Sequence, residues 1–152
     1  WNVSNVTNMA SMFHYSSFNQ PLANWDVSNV TTTNYMFTSS PFNQPIGNWD
    51  ISKVNNISGM FRDTPFNHSI KDWNTSNVNA MLLTFAESSF NNDISTWDTS
   101  SVNDMYGMFQ DASNFNQNLS TWCVNNITLK PDNFDVGASS WILPQPQWGT
   151  CP

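Results

Sequence analysis

Tryptophan recurs at positions 1, 25, 49, 73, 97 and 122, an interval of 24 residues that lengthens once to 25. Phe13, Phe37, Phe61, Phe85 and Phe109 keep the same interval, and Phe134 follows one residue late. A second series, Phe18, Phe42, Phe66, Phe90 and Phe115, is followed each time by an asparagine: Asn19, Asn43, Asn67, Asn91 and Asn116. A unit this small cannot bury its own apolar residues, so units must stack and share a core. It is also too short for a four-stranded propeller blade, which needs about 40 to 45 residues. The one extra residue falls between Phe109 and Phe115, which marks that segment as a loop.

Within a unit, Leu22, Trp25 and Val27 stand at relative positions 1, 4 and 6. Ile46, Trp49 and Ile51, then Leu119, Trp122 and Val124, repeat the arrangement, and Thr75 and Thr99 take the last slot in two units. This predicts a short strand with alternate side chains facing a core. Val6, Met9, Met12 and Phe13 follow at i, i+3, i+6 and i+7, Val102, Met105, Met108 and Phe109 do likewise, and Val78, Met81, Leu82 and Phe85 fall at i, i+3, i+4 and i+7. That spacing predicts one face of a short helix, with Ser4, Ser28, Ser52, Ser76 and Ser100 placed to cap it. The expected fold is an α/β repeat: a right-handed solenoid of short parallel strands and short helices with a C-terminal cap. Its tryptophan column, from Trp1 to Trp122, and its Phe13-to-Phe109 column would be core ladders, with coils about 4.8 Å apart in a rod roughly 25–30 Å long. Residues 1–122 read as five tandem repeats, and 123–152 as a partial sixth repeat and cap.

The 1-4-6 spacing matches the L-x-x-L-x-L of leucine-rich repeats. The fuller motif, W-D-[VI]-S-x-V-x-x-M-x-x-M-F…F-N-Q-x-[LI], resembles the 25-residue repeats of BspA-like leucine-rich surface proteins, which also occur in mycoplasma surface lipoproteins. The resemblance covers Trp1 to about Val124. It implies a leucine-rich-repeat-like fold, extracellular exposure and a role in adhesion or surface assembly, without catalysis. Thr33 and Thr84 depart from it where the pattern has Met.

Beyond Val124 the repeat fades. Lys130-Pro131-Asp132 interrupts it, and Trp141 and Trp148 are out of register. Such a segment suits a cap. Cys123 and Cys151 are the only cysteines. The expected state is a disulfide, contributing roughly 3–4 kcal/mol in the chain-entropy model; two free thiols would suit a cytosolic protein instead. Trp1 opens a full-strength repeat with no cap sequence before it, as a mature or trimmed piece would. Its open face is expected to have lost a cap or to be covered by another molecule. A head-to-tail contact there would build a filament.

Asn, Ser and Thr make up 57 of 152 residues, whereas charged residues are only 10%. The net charge is −7 with four scattered cations, so no basic stripe exists for nucleic acid or an anionic membrane. No apolar run reaches the roughly 18 residues of a membrane span, and 14% aromatics argue against disorder. His14 and His68 occupy unrelated repeat positions, and no metalloprotease, nucleophile-elbow or phosphate-loop motif occurs. The expectation is therefore no enzyme and no cofactor. Asp26, Asp50 and Asp98 form one column with Asn74 between them, a weak candidate for Ca²⁺ set against carboxylates that simply bond turn amides. Sequons at Asn2, Asn5, Asn29, Asn56, Asn67, Asn74, Asn118 and Asn126 are glycosylation candidates in a eukaryotic secretory route. The function expected is an extracellular structural or adhesion module that binds a protein partner or a second copy through its ends. The alternative is a module that recognises glycan, or less readily ice, on one face.

Overall fold

In the computed structural model, which describes residues 1–152, the 24-residue period becomes a stack of coils. Each coil bonds the next through equivalent backbone groups. Tyr35 N–H donates to the Ser58 carbonyl at 2.7 Å, Phe37 to Met60 at 3.1 Å and Ser39 to Arg62 at 3.0 Å. On the neighbouring line Asn55 donates to Thr31, Asn79 to Asn55 and Asn103 to Asn79, each within 3.0 Å. Isolated parallel bridges join Asn8, Thr32, Asn56, Ala80 and Asp104 in succession.

The coils contain no α-helix and no strand beyond these single bridges. The expectation of a leucine-rich-repeat-like, right-handed α/β solenoid is thereby overturned: the fold is largely irregular loop, built of stacked turns. The segment expected as a strand is a turn, with Trp25 N–H bonded to the Leu22 carbonyl at 3.0 Å and Val30 N–H to Val27 at 2.8 Å. The segment expected as a helix carries the line between coils. Its Met12, His14 and Ser16 N–H groups reach back three residues, to Met9, Ser11 and Phe13, while Met9, Ser11, Phe13 and Tyr15 donate to the next coil. An α-helix consumes almost all its N–H groups internally, so it could not have joined the coils this way.

The backbone conformation explains the difference. Ser11 and Tyr15 have φ of 57° and 52°, and the same two columns are left-handed at Tyr35, Ser39, Gly59, Asp63, Leu83, Glu87, Gly107 and Asp111. A left-handed residue closing a three-back turn is the type II arrangement, and two of them four residues apart preclude a helix. The helical spacing of Val54, Ile57, Met60 and Phe61 is nonetheless an inward face, since all four are fully buried.

That face joins the aromatic columns in one core of 36 buried residues. Successive Phe rings stack at 5.7–6.0 Å from Phe13 to Phe109, and Trp73, Trp97 and Trp122 at 6.3 and 6.4 Å. Each indole also spans two coils. The Nε1–H of Trp49, Trp73, Trp97 and Trp122 donates to the carbonyls of Leu22, Ile46, Ile70 and Ile94, at 2.9–3.2 Å. Trp1 is a correction to the expected core ladder. It stacks on Trp25 at 6.1 Å on one side only and is 87% exposed. Thr33 and Thr84, standing where the pattern has Met, are buried with hydroxyls bonded to Met60 Sδ and to the Ile57 and Met81 carbonyls.

At the far end Phe109 and Asp111 still donate to Phe134 and Val136. Trp141 then packs edge-on against Phe109 and Phe115, and Trp148 against Phe134, which ends the parallel ring stacking. Cys123 and Cys151 form a disulfide beside the Val124-to-Thr150 backbone bond.

Candidate functional site

Most repeated polar side chains are occupied in holding coils together. The chain has 61 backbone–backbone hydrogen bonds, against about 100 ordinarily found at this length, and side chains supply what is missing. The Oδ1 of Asn19, Asn43, Asn67 and Asn91 accepts the backbone N–H of Asn43, Asn67, Asn91 and Asn116 in turn, at 2.9–3.1 Å. Asn116 Oδ1 takes the N–H groups of Ile142 and Leu143 in the cap. A second column, Asn29, Asn77, Ser101 and Asn126, donates to the Ser4, Ser52, Ser76 and Ser100 carbonyls. No buried side-chain nitrogen or oxygen lacks a partner.

The aspartate column is used locally. Asp26 Oδ1 accepts the Ser28 hydroxyl at 2.6 Å and its N–H at 3.1 Å, Asp98 does the same with Ser100, and Asp50 accepts Ser52 N–H. The serines expected as helix caps thus close these turns. Their side-chain and backbone hydrogen bonds hold all three carboxyls below the ordinary aspartate range. No three His, Cys, Asp or Glu side chains converge as a metal-binding group, and each carboxylate of the column is engaged with its own serine turn.

Among the sequons, Asn29 and Asn126 already commit Nδ2 to a neighbouring coil. Asn2, Asn74 and Asn118 are exposed and use only Oδ1, accepting from Ser4, Ser76 and Ser120. Asn56 is half-buried with Oδ1 on Ser58 N–H, Asn67 belongs to the asparagine ladder, and Asn5 is exposed with no side-chain bond.

One patch escapes this economy. Ser11, His14, Tyr15, Tyr35, Thr38, Ser39, Arg62, Asp63 and Glu87 line an open cleft of about 420 Å³ across the first four coils. Six of these nine carry a positive φ, because the cleft lies along the two left-handed columns. Each non-glycine residue there costs about 1–2 kcal/mol of backbone strain. One wall is aromatic: His14 lies 4.3 Å from Tyr15 and 6.3 Å from Tyr35, ring to ring. Tyr35 is seated on Gly59, where a Cβ would stand 2.3 Å from its ring. The other wall is charged, with Arg62 Nη2 2.8 Å from Glu87 Oε1 and Asp63 beside it. The side chains of His14, Tyr15, Tyr35, Ser39 and Asp63 make no hydrogen bond within the protein, whereas Thr38 is turned inward onto the Gly59 carbonyl.

A second hollow of about 370 Å³, between Asp93 and Leu143, differs in this respect. Asp93 binds Lys71 at 2.7 Å, and Gln117, Asn118 and Thr121 are bonded to Asn91, Ser120 and Ser95. Sequence reasoning missed the first cleft altogether. Its signal was the failure of two columns to repeat: His14, Thr38, Arg62, Ala86, Gln110 and Tyr15, Ser39, Asp63, Glu87, Asp111. Chemically the cleft offers ring faces, hydroxyls, a guanidinium and carboxylates, and no hydroxyl of the lining is hydrogen-bonded to the His14 ring.

No curated protein and no solved structure matches the chain. A family model does match, over residues 1–88 and again over 40–141, so that nearly the whole stack is covered. The chain belongs to the family described as Mycoplasma protein of unknown function, DUF285.

Proposed function

We propose that the chain is a non-catalytic structural and adhesion module of an extracellular surface, as BspA-like and mycoplasma surface proteins would suggest. The observation that carries this reading is the division of labour among polar side chains. Those that repeat are spent on coil-to-coil bonds or on closing turns, whereas His14, Tyr15, Tyr35, Ser39 and Asp63, which vary, keep their side chains free in the cleft. A stack held by neutral amides is stiff and displays its variable residues on fixed positions, as recognition requires. The Cys123–Cys151 disulfide suits an oxidising compartment. No helix is long and apolar enough to cross a membrane.

Beads coated with the chain test the reading. Saturable adhesion to epithelial cells or to matrix-coated surfaces, competed by free protein, is expected. Adhesion no greater than that of albumin-coated beads on every surface overturns it. Self-association is a second form of the same reading, favoured by the exposed apolar side chain of Ile142 (85%) in the cap. Discrete monomers across a wide concentration range in sedimentation velocity would remove that form.

A further inference from the structure

We propose that the cleft lined by Tyr15, Tyr35, Arg62, Asp63 and Glu87 binds a neutral saccharide, the C–H face of one sugar ring lying on the tyrosines and its hydroxyls meeting the charged wall. This rests on the reading of the chain as a recognition module and gives that module a ligand class.

Stacking does not dictate the residues of the cleft. The asparagine column keeps one residue type from Asn19 to Asn116 because each side chain bonds the next coil. The cleft columns change type at every coil and form no such ladder. Glycine serves at their left-handed positions at 59, 107 and 137 without strain. Tyr15, Tyr35, Asp63 and Glu87 stand at such positions although a larger side chain is disfavoured there. Tyr15 is 77% exposed, so packing does not account for it, and Tyr35 rests against Gly59, in the space that a Cβ there would take.

The chemistry of the walls selects the ligand. An anion would meet Asp63 and Glu87 in a chain of net charge −7. A compact cation would meet Arg62, the one cation of the cleft. A neutral polyol with an apolar face uses everything present: ring surface below, and at the side donors from Arg62, Tyr15 and Tyr35 and acceptors from Asp63 and Glu87. A volume of about 420 Å³ lies within the range of small-ligand sites.

Saturation-transfer NMR on the whole chain tests the assignment, with cellotriose, maltotriose, chitotriose and lactose as separate probes and a heparin hexasaccharide as the anionic one. At least one neutral probe is expected to bind with a millimolar or tighter Kd. Tyr15→Gly, which suits the left-handed backbone, and Asp63→Asn should each weaken it about tenfold or more, with Tm not lowered. Failure of all four neutral probes at about 10 mM, binding of the heparin fragment alone, or equal binding by both variants overturns the assignment. Adhesive beads with no saccharide binding would remove the ligand and leave the adhesion module. Saccharide binding without bead adhesion would remove the adhesion module and leave the ligand.

Discussion

The side-chain oxygen of Asn91 accepts two hydrogen bonds from the next coil, the Asn116 backbone N–H at 2.9 Å and Gln117 Nε2 at 2.8 Å. Its own amide nitrogen donates to no protein group. Asparagine therefore acts in this ladder as an acceptor. Asn91→Ala should destabilise the chain by about 1–2 kcal/mol in urea unfolding, through two abandoned donors. Asn91→Asp keeps the acceptor and should cost less than half as much. Equal losses in the two variants would show that the amide nitrogen matters instead.

The indole donors give a contrast between neighbours in the same column. Trp97 is buried and bonds the Ile70 carbonyl at 3.1 Å, whereas Trp25 is half-buried and its indole nitrogen has no protein acceptor. Trp97→Phe removes a hydrogen bond and leaves a void, a cost of about 2–3 kcal/mol. Trp25→Phe should cost under about 1 kcal/mol. Thermal unfolding of the two variants checks the difference.

Gly59 sits at φ 62° beneath the Tyr35 ring. Gly59→Ala adds left-handed strain and pushes the ring away, for about 2–3 kcal/mol in all. Ser39 has φ 54° and a side chain without partners. Ser39→Gly relieves the strain and adds chain entropy to the unfolded state, so it should change stability by between zero and about +1 kcal/mol. Urea midpoints of the pair decide whether the left-handed columns are strained as argued.

How much of this was legible in the sequence depends on what the period encodes. The spacing of Trp, Phe and Asn located the columns, and that of Val102, Met105, Met108 and Phe109 located an inward face. It misled on backbone conformation. An inward residue every three or four positions fits a helix, but it also fits successive three-back turns, and only φ separates them. Gly59 and Gly107, inside the supposed helices, were the visible hint. At Tyr15, Leu83 and Glu87 the same left-handed conformation leaves no compositional mark. The cleft was hidden for a related reason: it lies where the repeat fails, and a period marks only the positions where it holds.

Reduction of Cys123–Cys151 should act on the cap before the stack. The bridge closes a 28-residue separation and contributes roughly 3–4 kcal/mol in the chain-entropy model. The cap touches the stack through Trp141, Trp148 and the Asn116 and Val124 bonds. In the Cys123→Ser/Cys151→Ser variant, hydrogen exchange should rise most in residues 124–152 and least between Phe37 and Phe90, because coils depend chiefly on their neighbours. Uniform acceleration along the chain would mean that the cap sustains the whole stack.

Acid should weaken the fold through its carboxylates. Hydrogen bonds from Lys71 and Ser95 lower Asp93 to about 2, from about 3.9 in an unfolded chain. A folded pKa below the unfolded one stabilises above the unfolded value, and that stability is lost as pH falls through the folded value. Asp26, Asp50 and Asp98 are lowered by their serine turns, and Asp135, though burial pushes it up, is lowered on balance by Lys130 and Gln145. All five therefore act in the same direction. Stability should be level from pH 7 to about 5, then decline from about pH 4 to 2. The Asp93 share is modest, since its side chain is 42% exposed and solvent screens the Lys71 pair. Asp93→Asn should flatten part of the decline, and about 1 M NaCl should weaken the Lys71 contribution while sparing the serine turns. Urea midpoints measured across that range check the sign: stability that rises on acidification would refute it.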